Sequence, residues 1–399
     1  MDATSITARA VGRSANCLAK LNRMNKSLHH EEADRVPVSD FFWGSFLERW
    51  RTELGLAPDT NIYEYYDLDW LVTTPNLDPH IKQFEVLAED ENEITVRTGF
   101  EAVLRKKYAD PMPAFLKFET DSIDMLDSFQ FDDAWDERRW FKAGDNQLGG
   151  IGDGFARNSP AWIDTVKSTH ADFPTYGSVC ETHEMLWRIV GSENVMMWIG
   201  LYPDQLGRFI DRLGQFCIDL TKAQIEAANG LIDGMVIWGD VAYRKDCLFS
   251  PKYWRKYFKP VVTEMTKICH DAGIPVIYHG CGNVNRIFED YIETGIDAYN
   301  PLEAKAGLEV VDLRRRFGHR MAFCGNMDVM DWADAPLDEL KAIVLTKLNA
   351  AKGGGWIVQS DHSVPTTVSG ERYEYVVNLV RQYGNYPLQL GEYDLPDVQ

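Results

Sequence analysis

The sequence predicts an α/β fold, a (β/α)8 TIM barrel with a small antiparallel β insertion towards its N-terminal end. Three observations carry this. The C-terminal two thirds alternates short continuous apolar runs with longer amphipathic stretches, the pattern of a parallel sheet covered by helices on both faces. The strand-like runs come to eight, the number that closes a parallel sheet into a barrel. No GxGxxG follows the first of them, which disfavours an open doubly wound sheet.

The elements follow in order. Residues 1–30 are polar, carry several bases and lack the apolar core of a signal peptide; they read as a helical extension on the surface, leading into the barrel. RVPVSDFFW (35–43) is the first strand. From about 84 to 118, FEVLAED, EITVRTG and EAVLRKKY alternate apolar and polar residues between turn-like breaks, which predicts the antiparallel insertion. Residues 119–170 are acidic, Trp-rich and read as largely helical. The remaining strands are TYGSVC (175–180), VMMWIGL (195–201), GMVIWGD (234–240), PVIYHGC (275–281), AYNPLE (298–303), MAFCGN (321–326) and GWIVQSD (355–361). Helices are predicted over Asp204 to Ala228, closed by Asn229-Gly230, and over about Pro251 to Ala272, Leu337 to Ala351 and Gly370 to Tyr383. No Pro/Gly/Ser linker and no internal repeat divides the chain, so residues 1–399 are expected to form one domain.

Charge narrows the partners. Sixty-one acids against 41 bases give a formal net charge of −20, the wrong sign for a phosphate backbone or an anionic membrane. No apolar run reaches the roughly 18–20 residues of a spanning helix. Seven scattered cysteines show no disulfide framework and suit a reducing compartment, so the cytoplasm is expected. A homodimer is the base-rate expectation.

Catalytic groups of such a barrel lie at the C-terminal ends of its strands. Those ends read Cys180 with Glu181, Asp240, His279 with Cys281, Glu303, Cys324 with Asn326, and Asp361 with His362. His279-Gly-Cys281 is the sharpest feature: residues two apart on an extended strand project to the same side, so imidazole and thiolate can grip one ion. Zinc accepts that pair and takes one or two further ligands. His362, Glu303 and, in reserve, Cys324 are the candidates. Asp361 either orients a ligand histidine or makes an Asx-type turn. Glu303 is a ligand, a general base or a helix N-terminal acid. Asp240 is either catalytic or paired with Arg244. Asn326 joins Asp361 as a cofactor-binding candidate. Among the aromatics near these ends, Phe41 included, Phe42, Trp43, Trp238 and Tyr278 are the chosen pocket lining, with core packing the alternative for each.

HGCGNV (279–284), NPLEAKAG (300–307), AFCGNMDV (322–329) and GGGWIVQSDHSVP (353–365) occur in an order that resembles the uroporphyrinogen decarboxylase superfamily of (β/α)8 barrels. The resemblance runs from about residue 30 to 385 and includes LFSPKYWRKYFKP (248–260). Uroporphyrinogen decarboxylase itself grips its substrate with arginines in an RQAGRY-like loop. This sequence has SDFFWGSFLERW (39–50) there, without the arginine pair. The other arm of the superfamily, methyltransferases working with corrinoid proteins, holds zinc with an HxCG motif and a later cysteine. This sequence keeps His279-Gly-Cys281-Gly282, places Glu303 where that arm carries an acid, and has His362 where it carries the cysteine.

The resemblance therefore implies zinc on His279, Cys281 and His362 or Glu303. It also implies a catalytic set of Asp240, Glu303 and His362, and a corrinoid (cobalamin) that is free or on a partner protein. The expected reaction is demethylation of a small O- or N-methyl donor, an aromatic one being suited to the apolar FFWGSF loop. The alternatives are a cofactor-independent decarboxylase with Arg35, Arg244 and Lys245 as its cationic clamps, and a non-catalytic partner protein on the same fold.

Overall fold

The computed structural model describes residues 12–110, 112–149 and 155–398, so the start of the expected N-terminal extension lies outside the described residues. Strand β1 is Leu71–Val72. β2 (Glu85–Glu89), β3 (Glu93–Arg97), β4 (Ala102–Lys107) and β5 (Ala114–Phe118) pair in that order as a four-stranded antiparallel sheet, the expected insertion. β6 (Gly144–Asn146) and β7 (Ala156–Ser159) pair antiparallel inside the segment expected to be largely helical. β8 (Thr175–Cys180), β9 (Gly234–Trp238), β10 (Val276–His279), β11 (Ala298–Asn300), β12 (Ala322–Cys324) and β13 (Trp356–Ile357) complete a seven-stranded parallel sheet with β1 at its edge.

The eighth stave is the stretch around Val38. Ser39 N–H donates to Val358 O at 3.1 Å and Val358 N–H to Pro37 O at 2.9 Å, which ties it to the β13 edge. Asp69 N–H donates to Val38 O at 2.8 Å, which ties it to the β1 edge. The curled sheet thereby closes on itself. Residues 35–43 make isolated bridges at Arg35, Val38 and Phe42 and no continuous strand, because Pro37 has no N–H to give a ladder.

One stave was misassigned by the sequence. VMMWIGL lies within a helix, Ser192–Leu201, whose Val195, Trp198 and Ile199 face inward at helical spacing. A short apolar run does not distinguish strand from buried helix. The stave in its place is β1, two residues long. The long helices sit where expected: Pro203–Ala228, closed by Asn229 at φ 47°, and Gly370–Tyr383. Buried Leu206, Phe209, Ile210, Leu213 and Leu220 line the inner face of the first at i, i+3, i+4 spacing. Each such side chain contributes about 1.5–3 kcal/mol on burial.

Inside the barrel, Phe41, Trp70, Tyr176, Val236, Ile277, Ala298, Ala322, Cys324 and Ile357 form one apolar cluster. Met24 and Leu28 of the helix Ala15–Leu28 join it, so this helix is a plug with one face buried, where a surface helix was expected. Its Ser27 hydroxyl donates to Trp356 O at the start of β13, which places the plug at the N-terminal end of the staves and leaves the other end open to function.

Candidate functional site

All barrel staves point the same way, so the residues just after them share one mouth. β9 runs into Gly239-Asp240, β10 ends in His279 and continues as Gly280-Cys281-Gly282, and Glu303 follows β11. One ligand atom each from Asp240, His279 and Cys281 lies within 4.8 Å of the others, the one such His/Cys/acid group among the described residues. Cys281 Sγ is 3.8 Å from His279 Nε2.

Two carboxylates from the flanking staves hold the turn that carries Cys281. Asp240 Oδ1 accepts the Cys281 N–H at 2.8 Å, and Glu303 Oε2 accepts the next amide, Gly282 N–H, at 2.8 Å. Two buried tyrosines hold it from behind. The hydroxyl of Tyr278 donates to Gly239 O at 3.0 Å and that of Tyr299 to Gly280 O at 2.9 Å, the carbonyls directly before Asp240 and Cys281. Gly282 has φ 86°, and a Cβ there would sit 2.7 Å from backbone atoms of Ala242 and Tyr243. Only glycine permits that approach.

Burial dominates the electrostatics. It brings His279 down to about 4, with His362 pushing the same way, so the imidazole is neutral. It raises Asp240 to about 7, with Glu184 adding repulsion, and lifts the Cys281 thiol well above its ordinary value, with Asp240 and Glu303 adding to the effect. Burial also works to raise Glu184, but Arg188, at 2.6 Å, and the Trp187 indole hold it below the usual carboxylate range. A divalent cation among the three donors reverses this balance, because it favours thiolate and carboxylate.

Asp240 stands with His279 and Cys281, whereas His362 and Glu303 lie outside that three-donor group. His362 stacks on Trp43 with ring centroids 6.0 Å apart and feels the charges of Glu303 and Lys305. Arg244 bonds Lys305 O and makes no ion pair with Asp240. Asp361, raised to about 6 by burial, accepts the Val329 and Ala304 amides at 3.0 and 3.2 Å and orients no histidine. Asn326 is engaged by the Leu302 and Leu308 carbonyls, the Val310 amide and Lys347.

Of the expected pocket aromatics, Trp238 packs edge-on against His279, centroids 4.7 Å apart. Phe42 points away from the mouth into Phe46, Tyr63 and Tyr373, while Phe41 turns inward, 5.6 Å from Trp238 and 6.2 Å from His279. Tyr278 lies outside the barrel wall against Tyr291 and Tyr299, because neighbours on a strand face opposite ways and His279 takes the inner side. Cys324 is buried in the interior cluster and bonds Gln359 at 3.1 Å.

Sequence reasoning missed Glu184 and Asn300. Asn300 Oδ1 is 2.5 Å from His279 Nδ1, and its signal was present: a polar residue in register with Ala298 on the inner face of an apolar strand. Glu184, whose Oε2 accepts the Asp240 N–H at 3.3 Å, had only the weaker signal of an i,i+4 pairing with Arg188.

Three comparisons bear on this site. Residues 161–383 match the family described as uroporphyrinogen decarboxylase (URO-D). Among curated proteins, the uroporphyrinogen decarboxylase of Shewanella frigidimarina is 26% identical over 220 residues, 54% of this chain and 56% of that protein. That of Shewanella amazonensis is 28% identical over 221 residues, with the same coverage of 54% and 56%; the chain thus spans about half the length of these relatives. The solved structure of a methyltransferase from Methanosarcina mazei superposes with a TM-score of 0.61 at 18% identity, covering 91% of this chain and 98% of that one, which shows a shared fold.

Proposed function

Since the chain belongs to the uroporphyrinogen decarboxylase family, we propose that it is the demethylating arm of that fold: a zinc-dependent methyltransferase moving a methyl group from a small O- or N-methyl donor to a corrinoid, free or on a partner protein. The observation that carries the reading is the convergence of Asp240, His279 and Cys281 within 4.8 Å. Carboxylate, imidazole and thiolate are all zinc donors, and three protein ligands leave a position open for substrate. The His279 Nδ1 position is already occupied by Asn300, as the outer nitrogen of a metal-binding histidine usually is. The donor set fits the ion.

Zinc held there supplies Lewis acidity, drawing electrons from the ether oxygen or amine as the methyl leaves. The chain's own residues do the rest. Asp240 and Glu303 fix the Cys281 turn through two consecutive amides, so the donor atoms are set before substrate arrives. Trp238 and Phe41 put apolar faces beside His279, excluding water and accepting an aromatic or alkyl donor. The oxygen or nitrogen left behind needs a proton; burial lowers the His362 imidazole, so its role would be to relay a proton from solvent rather than to hold one in advance.

A second reading, a decarboxylase without a cofactor, draws support from the names of the curated relatives. Its expected clamps are largely spent: Arg35 bonds Asp69 at the closed end of the barrel, and Arg244 bonds Lys305 O. Mixing the zinc-loaded protein with cob(I)alamin and a panel of methoxyaromatic and methylamine donors separates the two. Methylcob(III)alamin appearing in the visible spectrum supports methyl transfer. Carbon dioxide release from carboxylated substrates, with no methylcobalamin from any donor, overturns it.

A further inference from the structure

We infer that Asn300 is a positioning residue: a buried relay from Gln359 through Cys324 and Asn300 fixes a proton of the His279 imidazole on Nδ1 and aims Nε2 at the Cys281 side. Every link lies inside the barrel, and Asn300, Cys324 and Gln359 are each at most 1% exposed. Asn300 Nδ2 lies 3.2 Å from Cys324 O and 3.4 Å from Cys324 Sγ. A carbonyl oxygen only accepts, so the NH2 end of the amide must face it, and Oδ1 must face His279. That oxygen, 2.5 Å from His279 Nδ1, also only accepts, so the hydrogen between them belongs to the imidazole. Nε2, which faces Cys281 Sγ at 3.8 Å, is left with its lone pair.

Cys324 closes the chain: its thiol donates to Gln359 Oε1 at 3.1 Å, beyond the end of β13. From Gln359 to His279 the relay thus spans four adjacent staves, β13 to β10, and depends on no group that solvent can reorient. The neighbours on the same inner face, Ile277, Ala298, Ala322 and Ile357, are apolar. A polar residue at 300 that served packing alone would leave its amide unpaired, a costly arrangement in such surroundings. Cys324, considered from the sequence as a reserve ligand, acquires a different duty here as the lock on the amide.

The consequence for metal affinity rests on the zinc reading above, whereas the tautomer does not. The test therefore begins with metal-free protein. Chelator-treated protein labelled with 15N-histidine is examined by long-range 1H–15N correlation, His279 being assigned by its loss in His279→Gln. The expected wild-type pattern is a single Nδ1–H tautomer. Asn300→Leu is expected to give a mixture or the Nε2–H form, with zinc affinity about 10–100-fold lower, the range for lost partners of metal-bound histidines. An Nε2–H or averaged signal in the wild type overturns the inference, as does an unchanged tautomer in Asn300→Leu. If Asn300→Leu does not fold, the wild-type spectrum alone decides. A wild-type Nδ1–H signal in a protein that takes up no zinc would refute the metal reading and leave the relay standing.

Discussion

Replacing Asp69 by alanine should unlatch the stave that closes the barrel. This carboxylate is fully buried and sits where the N-terminal plug, the Val38 stave and β1 meet. It bonds Arg23 Nη1, Arg35 Nη1 at 2.7 Å and Nη2 at 3.1 Å, and the Val38 amide at 2.7 Å. Its removal takes a partner from two guanidiniums whose side chains are 6% and 13% exposed. Breaking a buried pair from one side costs roughly 3–5 kcal/mol. Because Arg23 keeps Asp34, about 3 kcal/mol is the figure to use, and the orphaned Val38 amide adds about 1 kcal/mol. An unfolding entropy of about 2.1 cal/mol/K per residue over 399 residues makes that about 1.2 °C per kcal/mol, so the melting temperature should fall by about 5 °C. Asp34→Ala removes the other partner of Arg23, but that carboxylate is 61% exposed, so a loss under about 1 kcal/mol is expected. Thermal and urea denaturation of the two variants side by side is the assay. Equal shifts would refute the reasoning, since they would mean that burial of Asp69 is not what makes it matter.

Further expectations concern the mouth and the outer wall. Tyr278→Phe should cost about 1–2 kcal/mol through the unpaired Gly239 carbonyl and leave the KM for the donor unchanged, whereas Trp238→Ala should raise that KM; altered donor selectivity in Tyr278→Phe would contradict its place outside the barrel. Gly282→Ala forces a Cβ to within 2.7 Å of neighbouring backbone at φ 86°, so metal binding and activity should collapse together, and wild-type activity would show that the turn is not rigid. His270 is raised above the ordinary histidine value by its bond to Asp297 at 2.8 Å. A raised folded-state value stabilises fully below the unfolded histidine pKa and is lost as pH rises through the folded one. The stability gap between wild type and His270→Ala should therefore be widest below about pH 6.5 and close as the pH rises past the folded value; a gap that widens with pH contradicts the pairing.

The barrel was legible where apolar runs are continuous and flanked by clear helices, as from β9 to β13. It was illegible where a stave is only Leu71–Val72, too short to carry a pattern, and where VMMWIGL gave an apolar run that suits either state. The His279/Cys281 pair was legible from its spacing of two. The sequence offers His362, Glu303 and Cys324 as the third donor, although β9 is hydrogen-bonded directly beside β10 and brings Asp240 next to Cys281. Adjacency of consecutive staves was the stronger guide. Sequence alternation fixes that Phe41 and Phe42 face opposite ways but not which one faces in, so it favours neither for the pocket. Asn326 and Asp361 read as cofactor-binding residues because a polar group at a strand end looks the same in sequence whether it meets a ligand or a backbone amide.

The zinc content of the purified protein, beside that of Cys281→Ala, Asp240→Ala and His362→Ala, tests the central claim most directly. The geometry predicts about one zinc per chain in the wild type and in His362→Ala, and loss of the metal in Cys281→Ala and Asp240→Ala, with all four proteins folded. Folded wild-type protein that takes up no zinc when it is supplied, or variants at 240 and 281 that hold it as tightly as the wild type, would contradict the account.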